Sequence, residues 1–153
     1  MDKHEEKMIA YVAKCSDGDE LRQIRKNALK AGATQLARAA ALRLYAIVPA
    51  EAPGTLEHAV WQSIAALEET LREERGKTVR LSRTRQMIQR KDEQYCVAQL
   101  VRGKESEGFR MLQDRDMLDL TFEAVALKFP ERFDVETISA ARNRLNAAGH
   151  RAG

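Results

Sequence analysis

Leu56, Val60, Ile64, Leu67 and Leu71 recur every three or four residues, with Trp61 beside them. That spacing keeps one face of a helix apolar. It predicts a long helix capped by Thr55 and running to about Arg75, with Glu68 and Arg72 paired one turn apart and Gly76-Lys77-Thr78 as the break. The chain before it reads as three shorter helices. Met8, Ile9 and Val12 form a stripe over residues 5–15. Leu21, Ile24, Ala28 and Leu29 form the next, capped by Asp17 with Glu20 reaching back, and stopping near Gly32. Leu36, Ala37, Ala40, Leu44 and Ile47 form the third, with Thr34 as its cap. Pro49, Pro53 and Gly54 mark a loop.

The second half reads as shorter helices. Ser82 opens one to about Arg90, with Leu81, Met87 and Ile88 facing inward. Asp92 or Glu93 opens another to Arg102, carrying Val97, Leu100 and Val101, and residues 103–106 turn. Residues 107–114 form a short helix with Phe109 and Leu112. Asp116 or Asp119 caps a helix bearing Leu118, Phe122, Val125 and Phe129, which Pro130 ends. Asp134 caps the last, whose stripe is Ile138, Ala141 and Leu145, with Phe133 stapled to Ile138. Gly149 ends it, and residues 150–153 are expected to fray. Thr78-Val79-Arg80-Leu81 is the single β-like scrap.

The expectation is therefore an all-α protein of eight or nine helices without a substantial sheet. Two subdomains are expected, one of four helices over residues 1–76 and one of shorter helices over 77–149. Composition agrees. Aromatics make up 5% of the chain, and Ala, Leu, Arg and Glu, which lose little rotamer freedom in a helix, are abundant. No apolar run approaches the ~20 residues of a membrane span, and the charged N-terminus does not read as a secretion signal. Cys15 and Cys96 lack metal or redox spacing and read as reduced thiols of a cytoplasmic protein, a single disulfide between them being the alternative.

The hairpin over residues 21–49 lacks the small residue near Arg25 and the aromatic near Ala28 of a tetratricopeptide repeat, and no second copy follows. As a DNA-binding helix-turn-helix it fails too. Asn27 and Arg38 stand at apolar positions, and the recognition helix would be too apolar to read bases.

Charge changes the picture most. The twenty residues from Arg72 to Lys91 hold eight cations against Glu73 and Glu74, a net of +6 in a chain whose total is +3. A cationic concentration of this kind attracts a polyanion. On a helix from Ser82, the side chains of Arg83, Gln86 and Arg90 share one face. Arg80, Ser82, Arg83 and the first amides could hold phosphate, and Gln86 could reach a base edge. The candidate nucleic-acid residues are thus Arg80, Ser82, Arg83, Arg85, Gln86, Arg90 and Lys91. The plainer alternative ties these arginines to carboxylates such as Glu107, Asp114 or Asp116.

His4, His58 and His150 are dispersed, and no metal, nucleophile or phosphate-loop motif appears, so no catalytic residue, metal or cofactor is assigned. The expected function is non-enzymatic binding of nucleic acid, DNA ahead of RNA, or of an acidic protein. The alternative is a helical adaptor docking a protein through residues 8–47. Self-association would use the apolar face of the first helix.

Overall fold

Helix starts leave backbone amides without partners, and the sequence supplies acceptors for most of them. The computed structural model describes residues 2–150. Among these are nine α-helices and no strand. They are α1 (Lys3–Val12), α2 (Gly18–Lys30), α3 (Thr34–Ile47), α4 (Leu56–Arg75), α5 (Ser82–Arg90), α6 (Glu93–Arg102), α7 (Glu107–Asp114), α8 (Phe122–Lys128) and α9 (Val135–Ala147). Tight turns at Leu118–Leu120 and Pro130–Arg132 flank α8. Of residues 150–153, expected to fray, His150 donates its N–H to the Leu145 carbonyl at 2.9 Å, and 151–153 lie outside the described residues. Thr78 to Leu81 is irregular rather than a strand.

Seven helices carry their own side-chain cap. Asp17, Thr55, Asp92 and Asp134 act as expected, and Asp2, Ser106 and Thr121 complete the set. Each such cap contributes about 1 kcal/mol. Three expectations fail here. Thr121 caps α8 instead of Asp116 or Asp119, and Asp116 adopts a left-handed backbone with φ 55°. Glu20 accepts from the Tyr11 hydroxyl instead of reaching back to its own cap.

Thirdly, Thr34 and Ser82 do not cap, because α3 and α5 start one residue earlier, after Ala33 and Leu81. Both helices borrow a glutamate from another helix. Glu5 of α1 accepts from Leu36 N–H at 3.3 Å, and Glu68 of α4 accepts from Leu81 N–H at 2.8 Å.

The packing divides the chain between Ala50 and Glu51, not near Gly76, so α4 belongs with the helices that follow. In the first unit, α3 packs on both α1 and α2. Ala37, Ala40 and Ala41 are buried on α3 and let α2 approach closely, with Leu21 wholly buried on α2. Val12 is buried, so part of the first helix's stripe is used inside this unit. Arg43 Nε donates to the Cys15 carbonyl at 2.8 Å and closes the α1–α2 connection.

In the second unit, α4 packs on α6 and α8, and α6 and α8 pack on α9. The core joins Leu56, Val60 and Ile64 of α4 to Ile88, Val97, Val101 and Val125. Ile88 is the anchor of α5, with Leu81 and Met87 packed beside it. Phe133 and Ile138 both lie against this core, as the staple requires. Gly76 ends α4 at φ 68°, a conformation that glycine adopts without a Cβ clash.

Candidate nucleic-acid interface

Two events aim the basic segment. Gly76 turns the chain off α4, and Ile88 then holds α5 to the core by one face. The opposite face is left to solvent. Arg80, Ser82, Arg83, Gln86, Arg90 and Lys91 are all exposed. Arg83, Gln86 and Arg90 sit at i, i+3 and i+7 of α5 and share its outer side. Among the described residues, Arg80, Arg83 and Arg90 make no ion pair. Lys91 lies 5.6 Å from the centre of the Tyr95 ring. Arg72, Arg75 and Lys77, nearer the end of α4, are exposed as well.

Arg85 departs from this group. Its Nη2 donates to Glu68 Oε1 at 2.6 Å and its Nε to Glu68 Oε2 at 2.7 Å, a two-pronged pair. Its guanidinium also lies 5.2 Å from the centre of the Trp61 ring. The hydrogen bonds to Glu68 raise its pKa further. Trp61 is fixed from its other edge, donating to Glu93 Oε2 at 2.9 Å. Arg85 is thus a strut between α4 and α5. Its partner is none of Glu107, Asp114 and Asp116. Nor does Glu68 pair with Arg72, because both of its oxygens are taken by Arg85 and Leu81 N–H.

The start of α5 also differs from the phosphate cradle that the sequence suggested. Ser82 N–H donates to the Arg80 carbonyl and Arg85 N–H to the Leu81 carbonyl, so both ends of that run of amides are occupied. The exposed polar side chains on and beside this helix include Arg80, Arg83, Gln86, Arg90 and Lys91.

Glu68 and Trp61 are the residues that sequence reasoning missed. They set which arginine is spent. The available signal was the position of Glu68, next to Leu67 on the long helix and thus at the margin of its apolar face.

Other chemistry is sparse. The described residues contain no cluster of three or more His, Cys, Asp or Glu side chains placed to hold a metal ion. Cys15 and Cys96 are free and buried, and burial, then the charge of Glu93, pushes the Cys96 thiol up to about 11. That thiol stays protonated at neutral pH and is a poor nucleophile. His58 is buried on α4. Glu123 is a buried carboxylate whose pKa is raised, because burial outweighs the hydrogen bond from Arg144. Arg144 Nη1 approaches Glu123 Oε2 to 2.7 Å, and Arg144 Nη2 donates to the Gly103 carbonyl at 2.5 Å. This pair ties α8, α9 and the end of α6 together. No helix among the described residues is long and apolar enough to cross a membrane.

Comparison with family models, curated proteins and solved structures finds no match.

Proposed function

We propose that the second unit binds nucleic acid without catalysis, through the outer face of α5 and the segment leading into it. The observation that carries this reading is the set of solvent-exposed arginines free of ion pairs among the described residues, Arg83 and Arg90 on the outer side of α5 and Arg80 in the segment leading into it. Each contacts phosphate by displacing condensed counterions. Gln86 stands between Arg83 and Arg90, where its amide can pair with a base edge. An exposed helix fits the major groove of B-form DNA, whereas the deep, narrow groove of A-form RNA excludes it, so DNA is the preferred ligand.

The test is a duplex titration at rising salt. With Arg80, Arg83, Arg90 and Lys91 engaged, log affinity falls against log salt with a slope of roughly −3 to −4, about a hundredfold between 50 and 200 mM. An affinity indifferent to salt overturns the reading. So does undiminished binding by the Arg83→Glu/Arg90→Glu double variant with its helical signal intact.

A second reading rests on the first unit. A groove of about 530 Å³ lies between α1, α2 and the start of α3, lined by Met8, Ile24 and Leu36 among others. Tyr11 and Leu29 are half exposed in the same unit. This arrangement supports a helical adaptor that docks a protein there. A partner kept by the Arg83→Glu/Arg90→Glu variant and lost with a folded Ile24→Asp variant would favour it.

A further inference from the structure

The second unit contains a cavity of about 350 Å³. That is at the lower end of the ~300–1,000 Å³ found for small-molecule sites. Its walls are apolar, with Leu67 and Leu71 from α4, Val79 from the connecting segment, Leu100 from α6, and Phe109 and Leu112 from α7. Two polar groups on its inner wall, Thr121 and Glu123, are already committed. Thr121 Oγ1 donates to the Leu118 carbonyl at 2.6 Å and accepts from Ala124 N–H, and Glu123 is held by Arg144. Among the described residues, no side-chain nitrogen or oxygen that is fully shielded from solvent lacks a hydrogen bond. A ligand inside therefore meets mostly hydrocarbon, with the hydroxyls of Ser63, Thr84 and Ser106 also in the wall.

The open end is different. Arg75 and Arg80 line the cavity and are solvent-exposed, and neither makes an ion pair among the described residues. Glu107 is the one exposed acid in the lining, so two arginines against one glutamate leave the mouth at +1. A greasy interior beneath two available guanidiniums matches an apolar tail with an anionic head. The volume suits one chain.

We propose that this cavity binds a single-chain amphiphile with an anionic head group, carboxylate or phosphate, its tail among Leu67, Leu71 and Phe109 and its head between Arg75 and Arg80. The site is separate from the outer face of α5 except at Arg80.

Calorimetric titration of the full chain tests it, with decanoate, decyl phosphate, octanoate, decanol and decyltrimethylammonium, each below its micellar concentration. Decanoate and decyl phosphate bind one per chain, and the tighter of the two names the head group. Octanoate binds on the order of tenfold more weakly than decanoate, since each buried methylene is worth about fourfold. Arg75→Gln/Arg80→Gln weakens both anions by about tenfold and leaves decanol unchanged. Thr84→Trp, from the α5 wall, fills the cavity and abolishes binding. Met111→Trp does so from the α7 wall should the first variant not fold. Arg83→Glu/Arg90→Glu leaves decanoate binding intact, which separates this site from nucleic-acid binding. Decyltrimethylammonium binding as tightly as decanoate overturns the proposal. So does decanoate binding that survives in a folded tryptophan variant, or no decanoate binding at all.

Discussion

The inner and outer faces of α5 carry the same residue type and meet opposite surroundings. Arg85 points toward α4, where Glu68 and Trp61 hold it with a side chain 33% exposed. Arg83 and Arg90 lie on the opposite face, exposed and without an ion pair among the described residues. The seam between α8 and α9 repeats the inner arrangement, with Arg144 16% exposed against a Glu123 that is 5% exposed. Arginine in this unit therefore exists in two states. One is spent on holding helices together and the other is available to a ligand. Net charge over a window of sequence counts both alike, and only the second contributes to attracting a polyanion.

The largest effect should come from breaking the most buried pair. Arg144→Met strands the buried Glu123 carboxyl without its partner, at a cost of about 3 kcal/mol where that carboxyl is ionised. The cost has a sign in pH. Burial raises the Glu123 pKa, so the folded state keeps that proton when the unfolded chain, near its ordinary ~4.3, has released it. Stability from that proton is therefore complete below the ordinary value and fades as pH rises through the raised one. Removing Arg144 removes the group that lowers this pKa, and the carboxyl then stays neutral to higher pH. Urea unfolding of variant and parent at pH 5 and pH 8 should show a smaller difference at pH 5. An equal difference at both pH values would mean that packing, not the stranded charge, sets the cost.

Glu68→Gln addresses the inner face of α5 directly. It keeps an acceptor for Leu81 N–H and removes the charge opposite Arg85. With Glu68 12% and Arg85 33% exposed, solvent screens part of the loss, and about 1–2 kcal/mol is expected. Trp61 is the sole tryptophan of the chain, so its fluorescence reports the event. Arg85 leaves the ring, and the emission shifts at denaturant concentrations where the global fold persists. Unchanged emission with unchanged unfolding would show that Arg85 is no strut.

The helices were legible in the sequence where their determinants are local. A cap acts over three residues, so Asp17, Thr55, Asp92 and Asp134 could be read directly, as could the stripes of α4 and α9. Thr34 and Ser82 misled because α3 and α5 each begin one residue earlier than the hydroxyl implied, and a carboxylate from another helix bonds a backbone amide at each start. The apparent partner of Glu68 was Arg72, four residues on. The actual one is Arg85, seventeen residues on across a turn. The division of the chain failed for a related reason. Gly76 ends a helix, but ending a helix does not end a packing unit, and α4 spends its apolar stripe on α6 and α8. The cationic character of residues 72–91 was plain from sequence. Which cation is spent depends on tertiary contacts that no spacing rule carries.

The smallest effect on stability gives the sharpest separation of the two faces. Arg83→Gln removes an exposed side chain with no ion-pair partner among the described residues, and its unfolding free energy should stay within about 0.5 kcal/mol of the parent. Its slope of log affinity against log salt on a duplex should nonetheless shrink by about 0.9, the share of one phosphate contact. Arg85→Gln should do the reverse, losing about 1 kcal/mol of stability through the Glu68 bonds and the Trp61 contact while the salt slope stays as it was. Both substitutions change net charge by the same amount. Nonspecific attraction alone would move the two slopes equally, and that result would erase the distinction between spent and available arginines on α5.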